Sequence, residues 1–312
     1  MLDRVGLLVR AAATRIGHPG PETEPQPLDG GITNRNFKVE TDRGAWVVRL
    51  PGAETELLGI DREAERDANE LGARLGIAPE VAHWNADPAG LVTRFVEGET
   101  MSPDALRAPE AIHAVAASLR DLHDSGGRLG SRFDVVEIAA DYARVAAERG
   151  IDPPPELEPA LRTAHRIRDL LGTHGDHAPV PCHNDLLAAN FIAAERGIVI
   201  VDWEYAGMGD RYFDLANFAV NNELGAAERE LLLRAYIDSG ETELDAVGLE
   251  RRGTELTLMT YMSDLREAMW GLLQGAISEI EFDFRAYCSE HFERLERTAS
   301  GPEFVAAIEA SS

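Results

Sequence analysis

A chain of 312 residues, 44% hydrophobic and 27% charged, has the composition of a globular protein and is long enough for one large domain or two lobes around a shared cleft. Its formal charge of −25, from 55 acidic against 30 basic residues, repels nucleic acid and anionic lipid and favours a cationic small molecule as partner. No apolar run reaches the roughly 18 residues that a membrane-spanning helix requires, which excludes insertion into a bilayer.

Residues 1–16 mix apolar positions with Arg4, Arg10 and Arg15 and predict an amphipathic helix rather than a secretory leader. A cytoplasmic location follows, with Cys182 and Cys288 reduced; Cys182 is expected to be a small buried thiol. Residues 19–27 are rich in Pro and Glu and read as a loop. Two β-like runs come next, 36–40 (NFKVE) and 45–50 (AWVVRL), with a turn at Asp42-Arg43-Gly44 that makes them a hairpin. Residues 61–76 have helical spacing, with Ala64, Ala68, Leu71 and Leu75 on one side. A further strand is expected at 91–96.

Beyond residue 98 helices dominate, at 111–123, 141–149, 228–238 and 255–280, interrupted by a short buried strand at 198–203. The reading is an α+β chain in two lobes. A β-rich lobe of residues 1–97 joins a mainly helical lobe of residues 98–312 through a hinge at residues 95–98.

Four segments carry chemistry. The run from His183 to Asn190 places Asp185 and Asn190 five residues apart, the spacing of a protein-kinase catalytic loop. Asp202 follows Asn190 by twelve residues, at the end of the apolar run IVIV. Phosphoryl transfer needs such a set: one carboxylate to take the proton of the attacking hydroxyl, and an amide oxygen and a second carboxylate to hold Mg²⁺ against ATP phosphates. Asp185 suits the base and Asn190 and Asp202 the metal, while His183 braces the loop.

The second segment, Gly30-Gly31-Ile32-Thr33-Asn34-Arg35-Asn36, leads into the hairpin. Its glycines permit close backbone approach to phosphate, with Thr33, Asn34 and Asn36 as donors. The third is Arg49 on the second hairpin strand, a cation able to hold phosphate bidentately. Its partner is one of Glu63, Glu65 and Glu70 on the next helix, with Glu65 favoured. The fourth is the late helix. At 100° per residue, Met262, Leu265, Met269, Leu272, Leu273, Ala276 and Ile280 form one apolar arc. Trp270 falls outside it, with Asp264, Glu267 and Gln274, as a candidate wall of a cation box that Phe282, Phe284 and Tyr287 would complete.

On these motifs the chain resembles the choline/ethanolamine kinase family within the aminoglycoside-phosphotransferase-like kinases, from about residue 28 to 297. The resemblance rests on GGITNRNFKV, CHNDLLAANFI, IVIVDWEYAGMGDRYFDLANF and MWGLLQGAISEIEFDFRAY. It implies a protein-kinase-like fold, as monomer or homodimer. It implies ATP and Mg²⁺ as cofactors and transfer of the γ-phosphate to the hydroxyl of a small cationic alcohol. Carried over by position, Asp185 is the base, Asn190 and Asp202 bind Mg²⁺ and Arg49 binds phosphate. Phe95, Val96 and Glu97 meet adenine through backbone groups. Glu204, Asn221, Asp264, Glu267, Trp270, Phe284 and Tyr287 join Asp185 around the acceptor. Two positions depart from the eukaryotic pattern: Asn221 stands where a pocket Glu is usual, and Glu267 where an aromatic is. Asp264 or Glu267 could restore the negative charge, or the acceptor differs from choline. Thiamine and aminoglycosides remain alternative acceptors, and a nucleotide-binding pseudokinase the alternative class.

Overall fold

The alternation of large apolar and polar residues in the hairpin gives each strand two unlike faces. In the computed structural model, which describes residues 1–20, 23–28, 34–87, 89–172, 177–238, 246–278 and 280–310, strands β2 (Asn34–Thr41) and β3 (Gly44–Pro51) pair antiparallel with Phe37 opposite Val48 and Val39 opposite Trp46. These four side chains are buried under helix α1 (Leu2–Ile16), which contributes Val5, Leu8, Val9, Ala12 and Ile16. The N-terminal segment is thus the backing of the sheet. Asn36 and Arg49 face each other across the register on the opposite side.

Strand β1 (Gln26–Leu28) adds an edge to β2, so the expected loop at 19–27 ends in a short strand. Strands β4 (Val81–Ala86) and β5 (Ala89–Arg94) complete the sheet, in the order β1-β2-β3-β5-β4. Strand β4 escaped the sequence pattern because His83, Trp84 and Asn85 are all half-buried and show no alternation.

Between β3 and β4 lies helix α2 (Arg62–Leu75). Asp61 caps it by accepting from the amides of Glu63 and Ala64, and Gly76, at φ 79°, closes it. A Cβ at Gly72 would lie 2.8 Å from the Trp203 ring, so glycine permits the helix to pack directly on the residue after Asp202.

Strand β6 (Gly98–Thr100) opens the helical part. Helices α3 (Pro103–Leu106), α4 (Pro109–His123), α5 (Val135–Glu148) and α6 (Leu157–Leu171) follow. Then come strands β7 (Val180–Cys182), β8 (Phe191–Ala194), β9 (Gly197–Ile200) and β10 (Gly207–Gly209). They form two small sheets, β6-β8-β9 and β10-β7, which flank residues 183–190. Helices α7 (Arg211–Asn221), α8 (Ala226–Asp238), α9 (Ala246–Ile277), α10 (Phe284–Ser300) and α11 (Pro302–Ala310) end the chain.

The expected helix at 141–149 starts earlier, at Val135, where Asp134 caps it. The expected helix at 255–280 runs 246–277, which leaves Ile280 outside it and 46% exposed. The single apolar arc also needs correcting. Helix α9 packs on α5, α7 and α10, and its polar positions Ser263, Asp264, Arg266, Glu267 and Gln274 are buried along with the apolar ones. From Leu258 to Gln274 the helix is enclosed and has no solvent face for periodicity to report. Its polar groups must therefore find partners inside the protein. Both cysteines are buried and free, and among the described residues no helix is long and apolar enough to cross a membrane.

Candidate active site

The segment after β7 turns through Asn184 with φ 65°, a left-handed conformation that Asn tolerates better than most residues. Such a turn exposes backbone amides that must be satisfied. Helix α7 supplies the acceptors. The fully buried Asp214 carboxylate takes the amides of His183 (2.9 Å) and Asn184 (2.7 Å) and a hydrogen bond from His123 Nε2 (3.0 Å). Asn217 Oδ1 accepts the Leu186 amide at 2.6 Å, and Asn222 donates to the Leu186 carbonyl at 3.0 Å. His183 donates from Nε2 to the Val201 carbonyl (3.1 Å) and accepts the Asp185 amide at Nδ1 (3.3 Å). Burial pushes its pKa down, so it is a neutral brace between the two acidic segments.

Within this frame Asn190 Nδ2 donates to both the carbonyl (2.8 Å) and the Oδ2 (3.1 Å) of Asp185. Its amide oxygen is then the atom left for a cation. Asp202, also left-handed at φ 65°, takes Arg49 Nη1 at 2.7 Å. The same Nη1 lies 2.9 Å from Glu65 Oε1, and Nε is 3.4 Å from Asn36 Oδ1. Of the three glutamates on or near α2, Glu65 is the one that reaches Arg49.

Arg62, which the sequence did not single out, extends the cluster to Glu65 (2.7 Å), Glu204 (3.3 Å) and Asn34 Oδ1 (3.1 Å). Asn34 Nδ2 in turn donates to Glu204 at 2.7 Å. Burial raises the pKa of Glu204 to about 7, with Asp202 adding and Arg49 opposing. Burial raises Asp185 to about 8, opposed by Arg266 and reinforced by Glu267, Asp202 and Glu204. A crowd of buried carboxylates with too little positive charge is a site prepared for cations.

The opposite wall comes from α9 and α10. Trp270 donates from Nε1 to the Tyr205 hydroxyl (2.9 Å) and meets Phe284 and Tyr287 edge-on, with ring centroids 5.9 and 5.6 Å away. Tyr287 donates its hydroxyl to Glu267 Oε2 at 2.8 Å. Arg266, only 2% exposed, stacks 4.3 Å over the Tyr205 ring and reaches Glu267 (3.0 Å) and Asp185 (3.5 Å) through Nη1. The line Trp270–Tyr205–Arg266–Asp185 therefore joins the aromatic wall to the 183–190 loop.

Asp264 is not part of that line. Its carboxylate is held by His291 and Arg294 of α10, each at 3.0 Å. Asn221 is the last residue of α7, and its Nδ2 has no hydrogen-bond partner among the described residues. A cavity of about 320 Å³ opens beside Glu204 and Tyr205, bounded by Leu58, Phe133, Asp134 and Tyr142.

On the sheet side the Phe95 amide donates to the Ala45 carbonyl at 3.0 Å, which leaves Val96 and the exposed Glu97 between β5 and β6. Gly30, Gly31 and Thr33 lie outside the described residues.

His177 ties the approach to β7 into the same core. Its Nδ1 bonds Asp210, the cap of α7, and its Nε2 lies 3.7 Å from Glu255 of α9. Burial opposes the charge, but the two carboxylates outweigh it and raise the pKa to about 9. A raised histidine stabilises the fold fully below its ordinary value near 6.5 and loses that contribution as pH rises through about 9. The unfolding free energy of the wild type should therefore exceed that of His177→Gln by on the order of 2 kcal/mol at pH 6. At pH 10 urea denaturation should show the gap closed.

The family model for the phosphotransferase enzyme family matches residues 24–248, about three quarters of the chain. The chain belongs to that family. Its relatives place it with the kinases of small amino alcohols. It is 30% identical to ethanolamine kinase 2 of Rattus norvegicus over 285 residues, 84% of this chain and 72% of the rat protein. It is 25% identical to probable choline kinase 3 of Arabidopsis thaliana, over 94% of this chain and 92% of the plant protein. Among solved structures, a choline/ethanolamine kinase family protein from Mesorhizobium loti superposes with a TM-score of 0.78 at 30% identity, covering 100% of this chain and 99% of the other.

The fold is thus protein-kinase-like, and the chemistry is that of a phosphotransferase with an alcohol acceptor. Four residues that sequence reading passed over stand in this cluster: Arg62, Tyr205, Asp214 and Arg266. Asp214 and Asn217 did leave a signal, as polar residues about one turn apart within the apolar stretch 212–220 of α7. Arg266 left none, because a charged residue beside Glu267 reads as solvated surface.

Proposed function

We propose that the protein transfers the γ-phosphate of ATP, with Mg²⁺, to the hydroxyl of choline or ethanolamine. The observation that supports this best is the continuity of the site. Asp185, Asn190, Asp202 and the Arg49–Glu65 pair meet on one side, and the Trp270–Tyr205–Arg266 line carries the site to an aromatic wall on the other.

In this reading ATP lies between a lobe of residues 1–97 and a lobe of residues 98–312. Val96 and Glu97 face its base, and Asn34, Asn36 and Arg49 its phosphates, together with Gly30, Gly31 and Thr33. Asn190 and Asp202 offer hard oxygen donors from two segments, which suits Mg²⁺. A metal ion held there would neutralise phosphate charge and fix its geometry. Asp185 orients the acceptor hydroxyl and takes its proton. Trp270, Phe284 and Tyr287 face the ammonium end, and Glu267 sets its charge environment. Of the residues expected at the acceptor, Asp264 and Asn221 are left out.

Trp270→Ala should raise KM for choline by about tenfold, the loss of one partly desolvated cation–π contact, with kcat changed less than threefold. An unchanged KM would remove Trp270 from the acceptor pocket. The function itself is tested by coupled ADP release with Mg²⁺-ATP, offering choline, ethanolamine, thiamine and an aminoglycoside panel separately. Turnover confined to choline or ethanolamine is the expected result. Turnover only on thiamine or an aminoglycoside would overturn the acceptor and keep the kinase. ATP binding without turnover on any of them would reduce the protein to a nucleotide-binding pseudokinase.

A further inference from the structure

Transfer of a phosphoryl group builds negative charge on its oxygens, and phosphotransferases meet that charge with a cation beside the metal, often an arginine. In this chain residues 183–191 contain no Lys or Arg. Arg49 is already divided between Glu65 and Asp202 on the nucleotide side, and Arg62 between Glu65 and Glu204.

Arg266 is different. Its guanidinium is 2% exposed and uses only Nη1, at 3.0 Å from Glu267 and 3.5 Å from Asp185 Oδ1. Nε and Nη2 are buried with no hydrogen-bond partner among the described residues. They form one edge of a planar fork, the edge that binds an oxyanion bidentately. A buried guanidinium edge left without an acceptor is costly, so its retention points to a ligand. Stacking on Tyr205 holds the fork in place.

The oxyanion follows from position. The acceptor oxygen must lie within hydrogen-bond reach of Asp185, and the phosphorus one bond beyond it. The guanidinium, whose Nη1 is 3.5 Å from Asp185 Oδ1, therefore stands beside the path of the phosphoryl group. Resting on the kinase reading above, the geometry points to Arg266 as the catalytic cation on the acceptor side, meeting the phosphoryl group in transit with its guanidinium.

The acceptor O–H gives its proton to Asp185. The O–P bond forms as the bond to the β-phosphate oxygen of ADP breaks, and Arg266 stays protonated throughout. No cation from a second protein is needed, because α9 delivers one from within the chain. The arginine also accounts for Glu267 at a position where an aromatic is usual: the carboxylate balances a buried charge instead of serving the acceptor alone.

Two readouts test the assignment. The first is thermal stabilisation by MgADP with and without aluminium fluoride, a mimic of the phosphoryl group in flight. Wild type should gain stability from fluoride beyond MgADP alone. Arg266→Met should keep the MgADP gain and lose the fluoride increment. The second is turnover, where kcat should fall by about 10²–10³-fold with acceptor KM within threefold. Arg266→Lys should recover part of the loss, and added guanidinium should partly rescue Arg266→Ala.

A fluoride increment and a kcat both preserved in Arg266→Met would overturn the assignment. So would a rise in acceptor KM alone, which would make the arginine a contact for an anionic group of the acceptor. Should Arg266→Met lose the MgADP gain as well, Arg266→Lys decides: an intact MgADP gain with a reduced fluoride increment supports the role, and a full increment ends it. The fluoride arm needs no acceptor. Wild type that responds to fluoride yet turns over no alcohol would sink the proposed acceptors without touching Arg266.

Discussion

Asp185→Asn should lower kcat by about 10³-fold while MgATP affinity stays within about twofold of wild type. Asparagine keeps the size of the side chain and its neighbour Asn190 but cannot accept the proton of the acceptor hydroxyl. Asp185 is held through its own amide by His183 and through both its carbonyl and its carboxylate by Asn190, so the substitution leaves the loop where it is. Arg49, proposed for the phosphates, and Asp202, proposed for the metal, keep their contact at 2.7 Å. Nucleotide binding measured by calorimetry should therefore survive, and turnover measured by coupled ADP release should not. A variant that turns over at a tenth of the wild-type rate or better would remove Asp185 as the base. A variant that also loses MgATP would show that the carboxylate acts chiefly on the metal side.

How far the sequence foresaw this site depends on where each residue's partners lie. Asp185 and Asn190 were legible because both belong to one short loop whose spacing is set by local geometry. Arg49 and Glu65 were legible because a strand and the next helix meet within sixteen residues. The hairpin and α2 were legible because each has one clear buried face, and β5 because it is a short apolar run.

Helix α9 was not, for a physical reason. It packs on α5 and α7, distant in the chain, as well as on the adjacent α10, so the periodicity found over 262–280 describes in large part an enclosed surface, Leu258 to Gln274 being buried throughout. The same enclosure hid Arg266, whose partners Asp185 and Tyr205 are contributed by other segments, and turned Asp264 toward His291 and Arg294. Tyr205 and Arg62 were invisible in the same way: each matters for what it touches across the fold.

Asp214 shows the consequence for stability and rate together. Asp214→Ala should lower the unfolding free energy by about 3–5 kcal/mol, because it leaves the His183 and Asn184 amides and a His123 ring nitrogen buried without their acceptor. Asp214→Asn keeps one carbonyl oxygen in place of two carboxylate oxygens and should cost about half as much. Its more telling effect is on catalysis. The left-handed turn at Asn184 is not a conformation the chain adopts freely, and the two amides bound by Asp214 are what over-determine it.

Loosening that turn moves Asp185 relative to Asp202, which stands on another segment. The kcat of Asp214→Asn should therefore fall by about tenfold or more at temperatures well below unfolding, with KM for MgATP nearly unchanged. His123 and Cys182 lie close enough to Asp214 to suggest a metal trio. The carboxylate is already filled by two amides and an imidazole, and burial pushes the Cys182 thiol well up, away from the thiolate a metal would need. Stability that responds to a chelator in wild type but not in Asp214→Asn would contradict this and make the anchor a metal site. Equal indifference to chelator, with a lower Tm and a lower kcat in the variant, would fix Asp214 as the hydrogen-bonded post on which the catalytic loop is hung.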